Sequence, residues 1–124
     1  MLTRAFKAET AVAPGVACVA GSAEQGAKVG AGSPLGIYPA DTMAMTKEIG
    51  EHVTLQLLGP CKALAAGSIE AGDWVKAGTD GKLLTVGTTA GAYECVGYAL
   101  EDASSGEYFD LFVQRAKVTI PAVG

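Results

Sequence analysis

Apolar and polar residues alternate clearly along the chain from position 52, and this alternation predicts β-strands. In the segment HVTLQLL, Val53, Leu55 and Leu57 point to one face, whereas the polar residues between them point to the other. The segment EYFDLFVQ repeats the pattern, with Phe109 pointing inward and Phe112 outward. Both segments are typical of strands with one buried face.

Glycine-rich turns separate these strands at intervals of about ten residues. DWVKAG and KLLTVG form a predicted hairpin with Asp80 and Gly81 in its turn, and Gly67, Gly72 and Gly78 allow further reversals. Short strands with glycine turns favour a mainly β fold. We therefore expect a small antiparallel β-barrel or sandwich.

Residues 1–50 show weak periodicity and are rich in alanine, glycine, serine and proline. Two interpretations remain open: an extended N-terminal arm with loops, or small strands that complete the barrel. Asp41 as an N-cap and Gly50 as a C-terminal stop outline one short helix, within a fold expected to have at most one or two. We expect a single domain, with residues 1–50 as arm and loops and residues 51–124 as the barrel core.

Composition narrows the classes of function. The chain has 124 residues, of which 49% are hydrophobic and 18% charged, so it is not intrinsically disordered. Its surface should be fairly apolar, which suits a subunit covered by neighbours. The net charge is −4 without a basic patch, so we expect neither nucleic acid nor a membrane surface as a direct partner.

Side chains that could carry chemistry are sparse. Cys18, Cys61 and Cys95 lie far apart without a CxxC pair, which favours free thiols over disulfides or zinc. His52, the single histidine, falls on the polar side of its strand. We therefore expect no enzyme, and no catalytic, cofactor or metal site. Lys82 near a hairpin tip leaves a carrier-type barrel domain as a minor alternative.

Two motifs carry a resemblance to a known family. IEAGDWV, followed by a DGKL hairpin and then by VGYALEDASSGEYFDLFV, resembles the tailed-phage capsid cement, or head decoration, proteins. The resemblance extends over about residues 53–120. It implies a virion structural protein that binds the outer surface of the expanded head. Such proteins usually sit as homotrimers and clamp neighbouring subunits of the major capsid protein.

This resemblance predicts the partners and the location. The partners would be the major capsid protein and further copies of the chain, and the location would be the outer capsid surface after synthesis in the bacterial host cytoplasm. Alternatives are a head fibre base or a host-surface adhesin module. The candidate contact residues are Leu2, Arg4, Phe6, Met43, Met45, Trp74 and Phe112. An arm that adds a strand to the capsid predicts that deletion of residues 1–12 weakens binding and spares the fold.

Overall fold

The computed structural model describes residues 2–22, 25–40, 45–87 and 90–121, which form nine β-strands and no helix. The prediction of a mainly β fold is confirmed. The strands are β1 (Leu2–Ala8), β2 (Ala17–Ala20), β3 (Gly26–Val29), β4 (Pro34–Ile37), β5 (His52–Leu64), β6 (Trp74–Ala77), β7 (Leu83–Thr85), β8 (Gly91–Ala99) and β9 (Tyr108–Ile120).

Five of these strands close a small barrel within residues 2–58, which we call the first barrel. Its strand order is β1–β3–β2–β4–β5, and β1 pairs with β5 to complete the ring. The β1–β3 pair is parallel and the other pairs are antiparallel. Pairing of β1, the first strand of this order, with β5, the last, closes the ring, so neither remains an unpaired sheet edge. A small β-barrel is thus present as predicted, but it lies within residues 2–58, whereas the sequence pattern placed the barrel core at residues 51–124.

The remaining strands extend from the second half of β5 in the order β9–β8–β6–β7, and residues 59–120 are called the second module. A parallel bridge between Ala65 and Leu83 brings β7 back against the residue that follows β5. The first half of β5 thus belongs to the first barrel, and the second half belongs to the second module.

The second module repeats the topology of the first barrel. β1 to β5 of the first barrel correspond in order to β5 to β9 of the second module, and each pairing has its counterpart with the same direction. For example, Ala8 lies parallel to Ala27, as Ala65 does to Leu83. The backbone therefore contains two versions of one five-stranded pattern that share β5.

One type of turn occurs in both modules, at two places in each. Its glycine has φ between 85° and 92°, a conformation that side chains with a Cβ rarely adopt. These glycines are Gly15, Gly50, Gly72 and Gly106. The residue before each turn forms a bridge with the residue before its partner turn, Val12 with Lys47 and Ile69 with Ala103. The turns thus form two matched pairs.

Each module has its own apolar core. The first core contains Phe6, Ala8, Val12, Val16, Cys18, Ala27, Tyr38, Val53 and Leu55. The second contains Ala17, Ile37, Ala63, Ala65, Ile69, Val75, Ala77, Leu83, Val96, Ala99, Ala103, Phe109, Leu111 and Val113. Two members of the second core, Ala17 and Ile37, belong to strands of the first barrel. The outer face of the first barrel is therefore packed against the second module.

The structure corrects the expectation of an extended arm. β1 pairs with β3 on one side and with β5 on the other, and Phe6, Ala8 and Val12 are buried. Residues 2–8 are therefore wall and not arm, as in the alternative interpretation of small strands that complete a barrel. Residues 45–50 contain a bridge at Lys47 and a turn in place of the predicted helix, and residues 41–44 lie outside the described ranges.

Gln56 departs from the alternation that otherwise describes β5. The pattern places it on the polar face, yet it is only 4% exposed, and its side-chain amide donates to the carbonyl of Leu58 at 2.6 Å. Its own carbonyl lies so close to Gly36 that a Cβ there would overlap it. Gly97 approaches the carbonyl of Phe112 in the same way. Packing between strands, not the local pattern, therefore buries Gln56.

Candidate interaction surfaces

The N-terminal candidates Leu2, Arg4 and Phe6 differ in accessibility. Leu2 is 54% exposed, and Arg4 is exposed with its guanidinium carbon 5.6 Å from the centre of the Phe6 ring. Phe6 itself is only 8% exposed and belongs to the core of the first barrel. Leu2 and Arg4 are thus available to a partner, whereas Phe6 supports them from inside.

The methionine candidates are only partly described. Met43 lies outside the described residues. Met45 is 74% exposed, and its carbonyl accepts a hydrogen bond from the Tyr38 hydroxyl at 2.7 Å. This bond fixes the backbone of residue 45 while its side chain points to solvent. Met45 therefore offers a flexible apolar contact on an anchored segment.

An open groove lies beside Leu2. Leu2 is paired with Leu58 across β1 and β5, and both are exposed. The groove has a volume of about 530 Å³ and is also lined by Pro34, Arg115 and Lys117. The Arg115 guanidinium donates to the Pro34 carbonyl at 3.4 Å, which links β9 to the rim of the first barrel. Glu94 also lines the groove and lies 3.9 Å from the Lys117 ammonium, so the charges at its border are mixed. The adjacent exposed leucines form a suitable surface for a protein partner.

A second surface is an aromatic row on the outer face of the second module. Trp74, Tyr98 and Phe112 lie side by side on β6, β8 and β9, and Pro60 follows on β5. Ring centres are 5.4 Å apart in both aromatic pairs, edge-to-face for Trp74 with Tyr98 and stacked for Tyr98 with Phe112. All four residues are at least partly exposed.

The placement of Phe112 agrees with the alternation in its strand, since Phe109 and Leu111 are fully buried and Phe112 is not. Trp74 likewise lies outside both cores. Tyr98, the middle ring of the row, was not among the predicted contacts. The signal was available in VGYAL, where Tyr98 alternates with small residues, but cross-strand register is needed to place it between Trp74 and Phe112.

Charged residues border the aromatic row. The Lys62 ammonium lies 3.2 Å from Asp110 and 3.9 Å from Glu101, and about half of each side chain is exposed. Exposed ion pairs of this kind contribute about 0–1 kcal/mol. They therefore delimit the apolar row more than they stabilise the fold.

The carboxylates near the turns have structural partners. Glu51, Asp73 and Glu107 each follow a turn glycine and accept a backbone amide hydrogen bond from the first residue of the same turn, at 2.7, 3.0 and 2.7 Å. These carboxylates close turns. No group of three or more potential metal ligands occurs among the residues that the structure describes.

The cysteines are free, and Cys18 and Cys95 are buried. Burial raises the pKa of the Cys18 thiol to about 12. Burial, with a smaller contribution from Asp110, raises the pKa of Cys61 to about 12 as well. Thiols with raised pKa values are poor nucleophiles at neutral pH because the thiolate is scarce.

Lys82 lies at a hairpin that is packed against the first barrel. Its ammonium is 3.8 Å from Asp80, and the carbonyl of Gly81 accepts a hydrogen bond from the amide of Ala17 at 2.7 Å. A carrier domain holds its lysine at the tip of a hairpin that projects into solvent. Here the hairpin is instead packed against the first barrel through the contact of Gly81 with Ala17. Across the described ranges, no helix has the length and apolar character needed to cross a membrane.

A family model described as phage cement protein matches residues 1–115. The chain belongs to the phage cement protein family. The match confirms the resemblance found in the motifs and extends it over the N-terminal half. A cement protein is a phage structural protein that associates with capsid proteins, so this chain is assigned to the capsid of the virion.

Among solved structures, the cement protein fold is similar to the head fiber gp8.5 N base of bacteriophage phi29. The two share 20% sequence identity with a TM-score of 0.62, and the alignment covers 94% of this chain and 97% of that one. At this identity the likeness concerns the fold. No curated protein matches the chain.

Proposed function

We propose that the protein binds the outer surface of the expanded phage head as a homotrimer and bridges neighbouring subunits of the major capsid protein. Its role is mechanical: it uses no cofactor, catalyses no reaction, and contacts neither nucleic acid nor membrane. It is made in the bacterial host cytoplasm and acts on the virion. Membership of the cement family is the observation that carries this proposal.

The shared β5 suits such a bridge. Because one 13-residue strand is built into both modules, a load on one module passes to the other through a continuous backbone and its ladders. Each copy need bind only moderately, since a trimer engages several capsid subunits at once and avidity multiplies affinity.

The groove at Leu2 and Leu58 is the proposed capsid contact. β1 is paired with β5 from Leu2 to Lys7, and its last two residues also pair with β3, so it is no free arm. We therefore propose docking of a capsid segment against the exposed leucines in place of strand addition by an arm. Burial of one leucine side chain supplies about 1.5–3 kcal/mol. Two leucines would give a moderate affinity per site, as avidity requires.

Co-sedimentation with undecorated, expanded capsids of the same virus tests the proposal over a concentration series. We expect saturation at a fixed ratio to capsid protein and greater resistance of the shell to heat. The Leu58→Glu variant should bind at least about tenfold more weakly, because it places a charge in an apolar contact. Leu58→Met, which keeps an apolar side chain of similar volume at the same position, is the matched control and should bind as wild type does. Failure of the wild-type protein to bind would refute the function.

A head fibre base is the second candidate, and the fold similarity to the gp8.5 N base favours it. A base would bind the capsid and also hold a further virion polypeptide. Pull-down from disrupted virions with the purified protein distinguishes the two roles. Recovery of a stoichiometric second polypeptide besides capsid protein indicates a base, and recovery of capsid protein alone indicates cement.

A further inference from the structure

The two modules differ in what covers their corresponding outer faces. In the first barrel, Ala17 and Ile37 occupy the positions that Trp74 and Tyr98 occupy in the second module, with the same cross-strand register. Ala17 and Ile37 are fully buried because the second module packs over them. Trp74 and Tyr98 remain partly exposed. In the one case that the structure shows, this face is therefore covered by a module of the same fold.

The covered case has a specific geometry. Leu64 and Tyr108, which are paired across β5 and β9, lie on the turn that contains Gly15. The amide of Leu64 donates to the carbonyl of Gly15 at 2.8 Å, and a Cβ on this glycine would come within 3.0 Å of the Tyr108 ring. The turn is apolar, since Ala13 and Pro14 precede the glycine. An apolar pair thus covers an apolar turn.

Each residue of this contact has a counterpart at the corresponding position of the other module, and the counterparts differ in chemistry. Leu64 and Tyr108 correspond to Lys7 and His52, which are paired across β1 and β5 and are both exposed. The Gly15 turn corresponds to the Gly72 turn, which is bounded by Glu70 and Asp73. The counterpart of the apolar pair is therefore basic, and the counterpart of the apolar turn is acidic. A contact between the basic pair and the acidic turn would thus be complementary, as the apolar contact is.

We propose that Lys7 and His52 of one copy lie against the Gly72 turn of another copy, so that the first barrel of the one covers the aromatic row of the other. This contact would assemble the oligomer described under the proposed function, and it rests on that part of the proposal. Asp102, whose carboxylate accepts from the amide of Ala71 in the turn at 2.8 Å, adds to the acidic side.

Two carboxylates lie beside the basic pair, and each keeps its negative charge while a hydrogen bond holds it within its own copy. Glu9 accepts two hydrogen bonds from Ser22 at 2.9 Å, and Glu51 accepts from the amide of Glu48 at 2.7 Å. The backbone is committed as well, because the amide of Lys7 donates to the carbonyl of Gln25 at 2.8 Å. Side-chain charge must therefore hold this contact, unlike the backbone bond made by Leu64. Such a contact weakens as salt rises.

The proposed contact joins different surfaces of two copies. A contact of this kind is heterologous, and it either closes into a ring or continues as an open chain. A cement protein with three copies would use it three times around a closed ring. Tryptophan fluorescence reports on it directly, because Trp74 is the single tryptophan and follows the Gly72 turn.

Charge reversal tests the contact. Sedimentation velocity is run on wild type, Lys7→Glu, Glu70→Lys and the double variant from about 1 to about 200 µM, since self-association depends on concentration. We expect each single variant to weaken association by about tenfold or more and the double variant to restore part of it, because positions 7 and 70 then carry opposite charges again. Lys117→Glu makes the same charge change at an exposed site in the groove beside Leu2, at the opposite end of β1 from Lys7, and it should associate as wild type does. Association of the wild type should weaken between low and high salt.

Circular dichroism melts establish that each variant is folded before the comparison. A wild type that is monomeric throughout, single variants that associate normally, or a double variant that stays dissociated would each overturn the contact. Capsid binding is measured separately by co-sedimentation. A monomeric protein that still saturates capsids would refute this contact alone, whereas loss of capsid binding by the wild type would refute the proposed function.

Discussion

The first barrel and the second module follow one strand pattern but use the same outer positions differently. In the first barrel these positions hold small or apolar residues, Ala17 and Ile37, and a neighbouring module buries them. In the second module they hold Trp74 and Tyr98, which pack edge-to-face in partial contact with solvent. The comparison shows that burial of an outer face depends on the next module, not on the strand pattern itself.

The turns differ in the same sense. The Gly15 turn is apolar and lies under residues of the second module, whereas three other turns of this type end in Glu or Asp and face solvent. An acidic residue at that position closes its turn with a hydrogen bond to a backbone amide. The covered turn has Val16 there, which enters the core. At the covered turn, a buried apolar side chain thus takes the place of the carboxylate that accepts a backbone hydrogen bond in the other three turns.

Removal of β1 should have the largest effect on the likeness of the two modules, because it opens the first barrel. Deletion of residues 1–12 removes Phe6, Ala8 and Val12 from the core, at about 1.5–3 kcal/mol for each large side chain, against a total stability of about 5–15 kcal/mol. We expect loss of cooperative thermal unfolding, followed by circular dichroism. Deletion of residues 1–3 is the control and should melt within a few degrees of wild type. A cooperative, wild-type-like melt after deletion of residues 1–12 would contradict the barrel assignment.

Two glycines at corresponding positions should be equally intolerant of a side chain. A Cβ at Gly36 or Gly97 would overlap the carbonyl of the neighbouring strand, at Gln56 and Phe112 respectively. We expect Gly36→Ala and Gly97→Ala each to destabilise the protein by about 3 kcal/mol in urea unfolding. The controls are Gly30→Ala and Gly67→Ala, whose added Cβ meets only ordinary contacts at 3.6 and 3.5 Å, respectively. Unequal losses at the two sites would weaken the claim that the modules are equivalent.

The turn carboxylates should contribute equally in the two modules. Glu51→Ala and Glu107→Ala each remove one charge-assisted hydrogen bond of 2.7 Å to a backbone amide. We expect each change to lower the free energy of unfolding by about 1 kcal/mol in urea titrations. Glu94→Ala, which loses only an exposed ion pair of 3.9 Å with Lys117, should change it by less than about 0.5 kcal/mol. Losses for Glu51→Ala and Glu107→Ala as small as that for Glu94→Ala would show that the turn bonds add no stability.

The smallest expected effect concerns the thiols, one in each module and one in the shared strand. A raised pKa lowers the thiolate fraction below that of a free cysteine at pH 8, so Cys18 and Cys61 should react slowly with a thiol reagent in the native protein. Cys61 is only partly buried and should react first. In denaturant all three cysteines should react at a common fast rate. Fast native labelling of Cys18 would indicate that the first barrel opens readily.

Local sequence patterns by themselves determined much of the second module. Alternation in β9 placed Phe109 and Leu111 inside and Phe112 outside, and the motifs IEAGDWV and VGYAL were sufficient to indicate the family. These features depend on residue type at a period of two and on glycine in turns with positive φ. Both are local properties, so they can be deduced without knowing which strands are neighbours.

Only the tertiary structure decided the rest. The ring closes through pairing of β1 with β5, far apart in sequence, and β2, β3 and β4, with four residues each, are too short to show a period. Burial of Gln56 and exposure of Trp74 both depend on which element lies next to them. The repeated topology likewise cannot be recognised from residue types, because corresponding positions such as Ala17 and Trp74 pack against different neighbours and therefore need side chains of different size. Backbone hydrogen bonds maintain the same strand pattern in both modules, whereas side-chain packing determines which residue type occupies each position.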